Sequence, residues 1–244
     1  MTESMAPARM VAVMRGAIAT DDPKTQPAYS LTEAAHSLRL SPGTLRSWFL
    51  GRPYPAADGI RTSSAILQPA RRQPPLLSFW NLVEAHVLRA LRTEHGVSVP
   101  SLRKAIRYAE RELGIDKLLL RQDLQTDAGR MFLRRYGKLI DLSNSGQLAM
   151  ESVLQAHLRR VEWNADALPI RLYPFLTAEA TGDARPIAID PTIAFGRPVV
   201  QRVGVSTRTI ADRLDAGESP TEIGVDYGLT TAEIEQAVLY EHAA

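Results

Sequence analysis

The stretch YSLTEAAHSLRLSPGTLRSW, residues Tyr29–Trp48, decides the fold of the front part of this chain. Ser30 and Glu33 form a capping-box pattern, which predicts that a short helix with an apolar face begins directly after Ser30. Ser41 is a suitable N-cap and Pro42 suits the first helical position, so a second helix is expected after a short break. Two short helices joined by a tight turn are typical of a helix-turn-helix motif.

Charge divides the 244-residue chain into two unlike parts. Residues 1–164 carry 23 Lys and Arg against 15 Asp and Glu, whereas residues 165–244 carry 6 against 12. The first part therefore has a formal charge of +8 and suits a polyanion, and the second has −6 and repels one. Because each part contains a segment with the helix-turn-helix pattern, the charge assigns nucleic-acid binding to the first part only.

Composition excludes several classes of protein. The sequence is 45% hydrophobic and 23% charged, which is typical of a globular protein with room for two modest domains. It contains no Cys, which excludes disulfides, thiolate metal sites and a Cys nucleophile. No apolar run approaches the ~18–20 residues that span a bilayer, and no convincing leader is recognisable, so we expect a cytoplasmic protein without a membrane partner.

The sequence predicts a mainly α fold with small β elements. An N-terminal winged helix-turn-helix domain, whose wing is the Pro-, Gly- and Arg-rich segment 51–75, is expected to precede a C-terminal three-helix domain with a short β-hairpin. The predicted divisions are a flexible arm over 1–28, a DNA-binding domain with a helical and hairpin extension over 29–164, a strand and linker over 165–186, and the three-helix domain over 187–244. Whether residues 114–175 belong to the front domain or form a hinge stays open.

Periodicity and capping patterns place the other elements. In the front part the predicted helices are Phe79–Thr93, Pro100–Leu113 and Gln147–Val161, with a hairpin formed by Met131–Leu133 and Lys138–Leu142. A strand is expected over Leu168–Phe175 and a linker over Thr177–Arg185. In the tail we expect strands at Ile187–Ile189 and Phe195–Val200 and helices at Ser206–Ala216, Pro220–Tyr227 and Thr231–Tyr240. The last two helices follow capping boxes, Ser219 with Glu222 and Thr230 with Glu233.

The second helix of the opening stretch is the predicted recognition helix. Such a helix lies in the major groove with its N-terminal residues at base edges, and small polar residues there allow close approach to a phosphate. Arg46 is the side chain best suited to bind a phosphate or a guanine edge. The expected DNA contacts in this helix and the wing are Ser41, Thr44, Arg46, Ser47, Arg52, Arg71 and Arg72. The alternative is a structural pair of helices with ordinary surface arginines.

The front part resembles the winged helix-turn-helix of the MerR family. The step Thr44-Leu45-Arg46 recurs inside the second helix of that family, and LSFWNLVEAH at 77–86 and GVSVPSLR at 96–103 resemble its two further helices. Arg39 departs from the family, in which a glycine is common in the turn, and the wing lacks the usual Gly-Tyr-Arg-x-Tyr pattern. The resemblance implies DNA binding and transcription regulation, without metal sensing because the cysteines are absent.

The tail resembles a small domain of VapB-like antitoxins. The resemblance lies in IAIDPTIAFGRPVV at 187–200 and continues through Ile210 and AGES at 216–219 to DYGL at 226–229. One departure is RVGVS at 202–206, where the family often has Gly-Thr-x-Ile-Pro. With the MerR-like front part, the resemblance covers residues 29–241. It implies the antitoxin of a type II toxin–antitoxin pair, which neutralises a PIN-like ribonuclease toxin and represses its own operon.

The last predicted helix favours a protein partner over DNA. It carries Glu233 and Glu235 and no Lys or Arg, so like charge opposes a phosphate backbone. Ile234 and Val238 are the expected apolar anchors for a toxin. The alternative is a self-contained domain whose acidic face is only solvated.

Three arginines in the tail are candidate toxin contacts. A PIN-like nuclease site is a cluster of carboxylates around Mg²⁺, and a guanidinium inserted there can replace the charge of the metal. Arg197, Arg202 and Arg208 lie in an otherwise acidic segment and are expected to play this part. The alternative is that they are surface arginines paired with Asp190 or Asp212.

No pattern in the sequence indicates catalysis, a metal site or a cofactor, so we expect no enzyme. The five histidines lack metal-ligand spacing, and no Gly-rich phosphate loop or nucleophile elbow is present. We expect a homodimer, because one short recognition helix reads too few base pairs and two half-sites are then needed. Two other functions stay open: a stand-alone MerR-like regulator whose C-terminal domain binds another protein or a ligand, and an adaptor that never contacts DNA.

Overall fold

The computed structural model describes residues 22–57, 59–93, 102–104, 106–107, 111, 117–122, 154–174 and 185–242. The hairpin predicted at 131–142 and nearly all of the predicted linker at 177–185 lie outside the described residues. So do residues 1–21 of the predicted arm and much of the helices predicted at 100–113 and 147–161.

The fold is a mixed one, in which helices pack with small antiparallel sheets. The front elements are β1 (Tyr29–Ser30), α1 (Leu31–Leu38), α2 (Pro42–Leu50), β2 (Pro53–Ala56), β3 (Gly59–Thr62), β4 (Arg71–Arg72), β5 (Pro75–Leu77) and α3 (Phe79–Thr93). The later elements are β6 (Val161–Trp163), β7 (Pro169–Leu172), β8 (Ile187–Ala188), β9 (Val199–Val200), β10 (Val205–Ser206), α4 (Thr207–Asp215), α5 (Pro220–Tyr227) and α6 (Thr231–His242).

Caps fix both helices of the opening stretch. The Ser30 hydroxyl accepts from the backbone N–H of Glu33 at 3.1 Å, and the Glu33 carboxylate accepts from the Ser30 N–H at 2.8 Å, so the predicted capping box is confirmed. Ser41 is the N-cap of α2, with Pro42 at its start. α1 ends at Arg39, which has a φ of 52° in the left-handed region and thereby turns the chain toward α2.

The segment predicted as a wing forms two separate β structures. β2 and β3 pair as an exposed antiparallel hairpin directly after α2. β4 and β5 pair with each other, and β5 also pairs with β1 in a three-stranded sheet of order β1-β5-β4. The identification of α1, α2 and the β2–β3 hairpin as a winged helix-turn-helix remains a prediction.

α3 lies at the centre of the larger hydrophobic core. Between Phe79 and Leu91 its apolar side chains are at most 4% exposed, and Trp48 and Phe49 of α2 are each 1% exposed. Because neighbours cover α3 on most sides, each of its large apolar side chains gains about 1.5–3 kcal/mol by burial. The Trp80 indole N–H donates to the Pro169 carbonyl at 3.4 Å, which ties α3 to β7.

The tail has a smaller core of its own. β8, β9 and β10 form a three-stranded antiparallel sheet, on which α4, α5 and α6 pack through Ile187, Ile210, Ile223, Ile234 and Tyr240. Leu172 of β7 exchanges two backbone hydrogen bonds with Ile189, so the tail sheet continues into the β6–β7 hairpin.

Helix predictions were the most accurate and strand predictions the least. The bounds predicted for α3 and α5 are confirmed, and α6 extends two residues further than predicted, to His242. The strand predicted at Phe195–Val200 is wrong in its first half, because Ala194–Gly196 forms a 3-10 turn. The predicted strand Leu168–Phe175 is shorter, Pro169–Leu172, and the helix predicted through Val161 ends earlier because Val161 starts β6.

Candidate functional site

The exposed face of α2 presents one free cation among small polar groups. The Ser41 hydroxyl accepts from the Thr44 N–H at 3.1 Å and donates to the Thr44 hydroxyl at 2.9 Å, while the Ser47 hydroxyl donates to the Thr44 carbonyl at 2.7 Å. These hydroxyls therefore serve the helix itself. Arg46 is exposed, and its guanidinium makes no hydrogen bond or ion pair with any residue that the structure describes.

The basic residues of the predicted wing are divided between the two β structures. Arg52 lies at the start of the β2–β3 hairpin, where its N–H donates to the Ser63 hydroxyl at 2.9 Å and its side chain is exposed. Arg71 and Arg72 lie on β4 and bond locally, to the Pro74 carbonyl at 3.4 Å and the Gln68 amide oxygen at 2.5 Å. Arg52 is thus the wing residue that the chain places next to α2.

Arg202 and Arg208 are both paired within the tail. The Arg202 guanidinium bonds the Glu233 carboxylate at 2.7 Å and the Gly228 carbonyl, so it joins the end of α5 to the start of α6. The hydrogen bond from Arg202 lowers the pKa of Glu233 to about 2. The Arg208 Nε donates to Asp212 at 2.9 Å on the exposed surface of α4.

Arg197 differs from these two arginines. It is exposed and makes no side-chain hydrogen bond or ion pair with any described residue, which leaves all five N–H donors of its guanidinium available. Two residues before it, the side chain of Phe195 is 94% exposed. An unpaired cation and a solvent-exposed aromatic ring thus lie two residues apart along the chain and line the same groove.

The predicted apolar anchors of α6 face the core instead of solvent. Ile234 is 2% exposed and lies in the tail core, and Val238 is partly buried and packs against the same core. Both side chains stabilise the tail, and Ile234 has no surface for a partner. Among large apolar side chains of the tail, the exposed ones are Phe195, Val225 and Leu239.

The tail is bound to α1 through a junction that sequence analysis missed. The Arg39 guanidinium donates to the Tyr240 carbonyl at the end of α6 and lies 5.0 Å from the centre of the Tyr240 ring. His36 Nε2 lies 3.5 Å from a carboxylate oxygen of Glu241. The only sequence signal was a large cation at position 39, where a turn glycine is common.

A second bond at this junction joins β1 to the turn before β9. The Tyr29 hydroxyl is buried and donates to the Gly196 carbonyl at 2.8 Å. Burial raises the pKa of Tyr29, so the hydroxyl stays protonated and remains a donor at all physiological pH values. A side chain at position 196 would not fit, because its Cβ would lie 2.1 Å from the Tyr29 hydroxyl oxygen.

A groove of about 610 Å³ opens along the same junction. Residues from α1 form one wall, and the turn before β9 together with the start of α4 forms the other. The residues that give the groove its chemistry are Glu33, His36, Phe195, Arg197, Arg208 and Glu241.

The described residues contain neither a cluster suited to a metal ion nor a helix suited to a membrane. No group of three or more His, Asp or Glu side chains is arranged to hold a metal ion in that part of the chain. None of the helices in the described ranges is both long and apolar enough to cross a bilayer.

Comparisons with known proteins give the tail and the whole chain separate matches. A family model described as a protein of unknown function, DUF433, matches residues 187–240. The chain is 28% identical over 231 residues to "Putative antitoxin VapB45" of Mycobacterium tuberculosis, covering 87% of this chain and 92% of that protein. This chain is similar to an antitoxin.

The likeness extends to the three-dimensional fold. The X-ray crystal structure of Rv2018 from Mycobacterium tuberculosis matches with a TM-score of 0.63 at 23% identity, over 87% of this chain and 98% of that one. The shared fold therefore includes both the front part and the tail. The likeness of the front part to MerR proteins stays a prediction.

Proposed function

We propose that this protein is the antitoxin of a type II toxin–antitoxin pair, which binds and neutralises a PIN-like ribonuclease toxin and represses its own operon. The observation that carries the proposal is the match to an antitoxin over 92% of that relative's length. It includes the acidic tail as well as the basic front part. Both expected ligands, operator DNA and a ribonuclease, act in the cytoplasm, where we place the protein.

We assign DNA binding to α2 and the hairpin that follows it. Arg46 on α2 and Arg52 at the start of the hairpin are exposed cations that no described residue neutralises. Arg46 lies one turn from the α2 N-terminus, where the positive end of the helix dipole favours a phosphate. A short helix of this size reads only a few base pairs, so we propose that two copies bind two half-sites as a homodimer.

The DNA-binding proposal is tested by titrating a fluorescent fragment of the protein's own promoter. Arg46→Ala is expected to weaken binding by roughly 5- to 150-fold, because a single guanine contact of this kind contributes about 1–3 kcal/mol. Arg159→Ala is the matched control, since Arg159 is also exposed and belongs to neither α2 nor the hairpin. Equal affinities of the two variants would contradict the assignment.

The antitoxin proposal is tested with the product of the adjacent gene. Expression of that product alone is expected to arrest growth, and co-expression of this protein is expected to restore it and to yield a complex that purifies as one species. A neighbour that is harmless alone and does not co-purify would remove the antitoxin function and leave a stand-alone regulator.

A further inference from the structure

The turn Ala194–Gly196 holds an aromatic side chain in an unfavourable backbone conformation. All three residues have positive φ values, of 47°, 54° and 77° in order. Glycine adopts this region freely, but an L residue with a side chain does so at a cost. Two such residues in succession are uncommon and indicate that the surroundings impose the conformation.

One hydrogen bond from a distant residue and several local ones hold this conformation. The Tyr29 hydroxyl holds the Gly196 carbonyl at 2.8 Å, and the Gly196 N–H donates to the Ile193 carbonyl at 2.9 Å. On the preceding side, the Asp190 carboxylate accepts from the N–H and the hydroxyl of Thr192, at 2.8 and 2.6 Å. None of these contacts uses the Phe195 side chain, which is only displayed by the turn.

The exposure of Phe195 gives the folded protein no stabilisation. A phenyl ring stabilises a fold in proportion to the area that it removes from water, and 94% of Phe195 stays in water. A large aromatic ring on a rigid support is instead typical of the anchors that dominate protein–protein interfaces. The groove that Phe195 lines therefore indicates the chemistry of a partner.

The groove presents guanidinium donors that make no bond to the rest of the described protein. Arg197 has no partner among the described residues, and Arg208 is 71% exposed and uses only its Nε, toward Asp212. The two carboxylates that line the groove keep their negative charge but accept hydrogen bonds from within the protein. Glu33 accepts from the Ser30 N–H at 2.8 Å, and Glu241 accepts from the Thr207 hydroxyl and lies 3.5 Å from His36. A ligand carboxylate would therefore meet free guanidinium donors.

We propose that this groove receives a segment of the toxin in which an apolar side chain packs on Phe195 and a neighbouring carboxylate binds Arg197. The inference rests on the proposed function, because it names the contact by which the antitoxin holds its toxin. The volume of about 610 Å³ accommodates a few side chains of such a segment. Since α1 forms one wall, the toxin segment would contact the DNA-binding part and the tail together.

The test measures the affinity of the purified adjacent-gene product for wild-type protein and four variants. Phe195→Gly and Arg197→Gln are each expected to raise Kd at least tenfold. Val225→Ala and Arg159→Gln, which alter an exposed apolar residue and an exposed arginine outside the groove, are expected to stay within twofold. Thermal unfolding of each variant separates loss of binding from loss of folding.

The outcomes distinguish this inference from the function on which it rests. If wild-type protein binds and both groove variants bind within twofold of it, the inference is overturned and the antitoxin function stands. If wild-type protein does not bind, both are overturned. Phe195→Trp gives an independent readout, since its emission is expected to shift to shorter wavelength when the toxin covers position 195, and an unchanged spectrum in a formed complex would refute the contact.

Discussion

Replacing the single residue Phe195 by glycine should stabilise the fold although it weakens binding of the toxin. The left-handed backbone of Phe195 costs a residue with a side chain about 1–2 kcal/mol, while glycine loses about 0.5–1 kcal/mol of extra chain entropy on folding. We expect Phe195→Gly to raise the free energy of unfolding by about 0.5 kcal/mol in urea denaturation. A loss of more than about 1 kcal/mol would show that the ring packs on the protein itself.

His86 is 2% exposed and lies in the larger hydrophobic core beside α3's apolar residues. Its Nε2 lies 3.0 Å from the His157 carbonyl, and burial together with the neighbouring His157 lowers the pKa of His86 to about 3. The ring is therefore neutral in the folded protein and protonated in the unfolded chain below about pH 6.5. Its contribution to stability is complete above that pH and is lost as pH falls toward 3.

We expect this histidine to add a slope of about 1.4 kcal/mol per pH unit to the unfolding free energy between pH 6 and 4. His86→Gln keeps a donor for the carbonyl but does not titrate, so urea unfolding at several pH values should show that the slope decreases. Val225→Ala, at an exposed position that does not titrate, is the control and should leave the slope unchanged. An unchanged slope in His86→Gln would mean that the histidine is already solvated.

At the scale of the element, the α1–α6 junction depends on Arg39. This residue has a left-handed backbone and a guanidinium that caps α6 at the Tyr240 carbonyl. Arg39→Ala loses the charged hydrogen bond and keeps the strained backbone, so it should destabilise the protein by about 2 kcal/mol. Arg39→Gly loses the same bond but relieves the strain, and it should be about 1 kcal/mol more stable than Arg39→Ala. Urea denaturation measures both, and equal values would contradict the account of the turn.

Local signals explain which elements could be predicted. The bounds of α5 follow from the capping box at Ser219, Pro220 at the first position, and Gly228, whose φ of 65° ends the helix. The strand predicted from Phe195 fails because its conformation is imposed by Tyr29, a residue 167 positions away. The β2–β3 hairpin was visible only as a wing, since it contains prolines and is exposed on both faces, which removes the alternation that reveals strands.

Residues of the candidate site could likewise be predicted only where the local sequence determines their surroundings. Arg46 could be predicted because its position in a capped helix determines its exposure. Ile234 could not be assigned, because an apolar residue on a short helix faces either the core or a partner, and only the packing of α4 and the tail sheet decides between them. The groove lies between segments that are distant in sequence, so no local pattern predicts it.

At the scale of the whole molecule, the charge division between residues 1–164 and 165–244 predicts two binding reactions with different salt dependence. Each phosphate that a cation neutralises releases counterions, so a DNA complex with several such contacts loses about 10³-fold or more in affinity between 50 and 200 mM salt. The contact proposed for the toxin combines an aromatic anchor with one ion pair, and we expect its affinity to change less than about tenfold over that range.

Anisotropy titrations of both ligands at several NaCl concentrations measure how steeply each affinity falls with salt. Arg46→Ala should reduce the slope of log affinity against log salt concentration by about one unit for DNA and leave that slope unchanged for the toxin. Arg197→Gln should reduce the slope for the toxin and leave the slope for DNA unchanged. Parallel slopes for the two ligands would show that one basic surface binds both, contrary to the division that the sequence predicts.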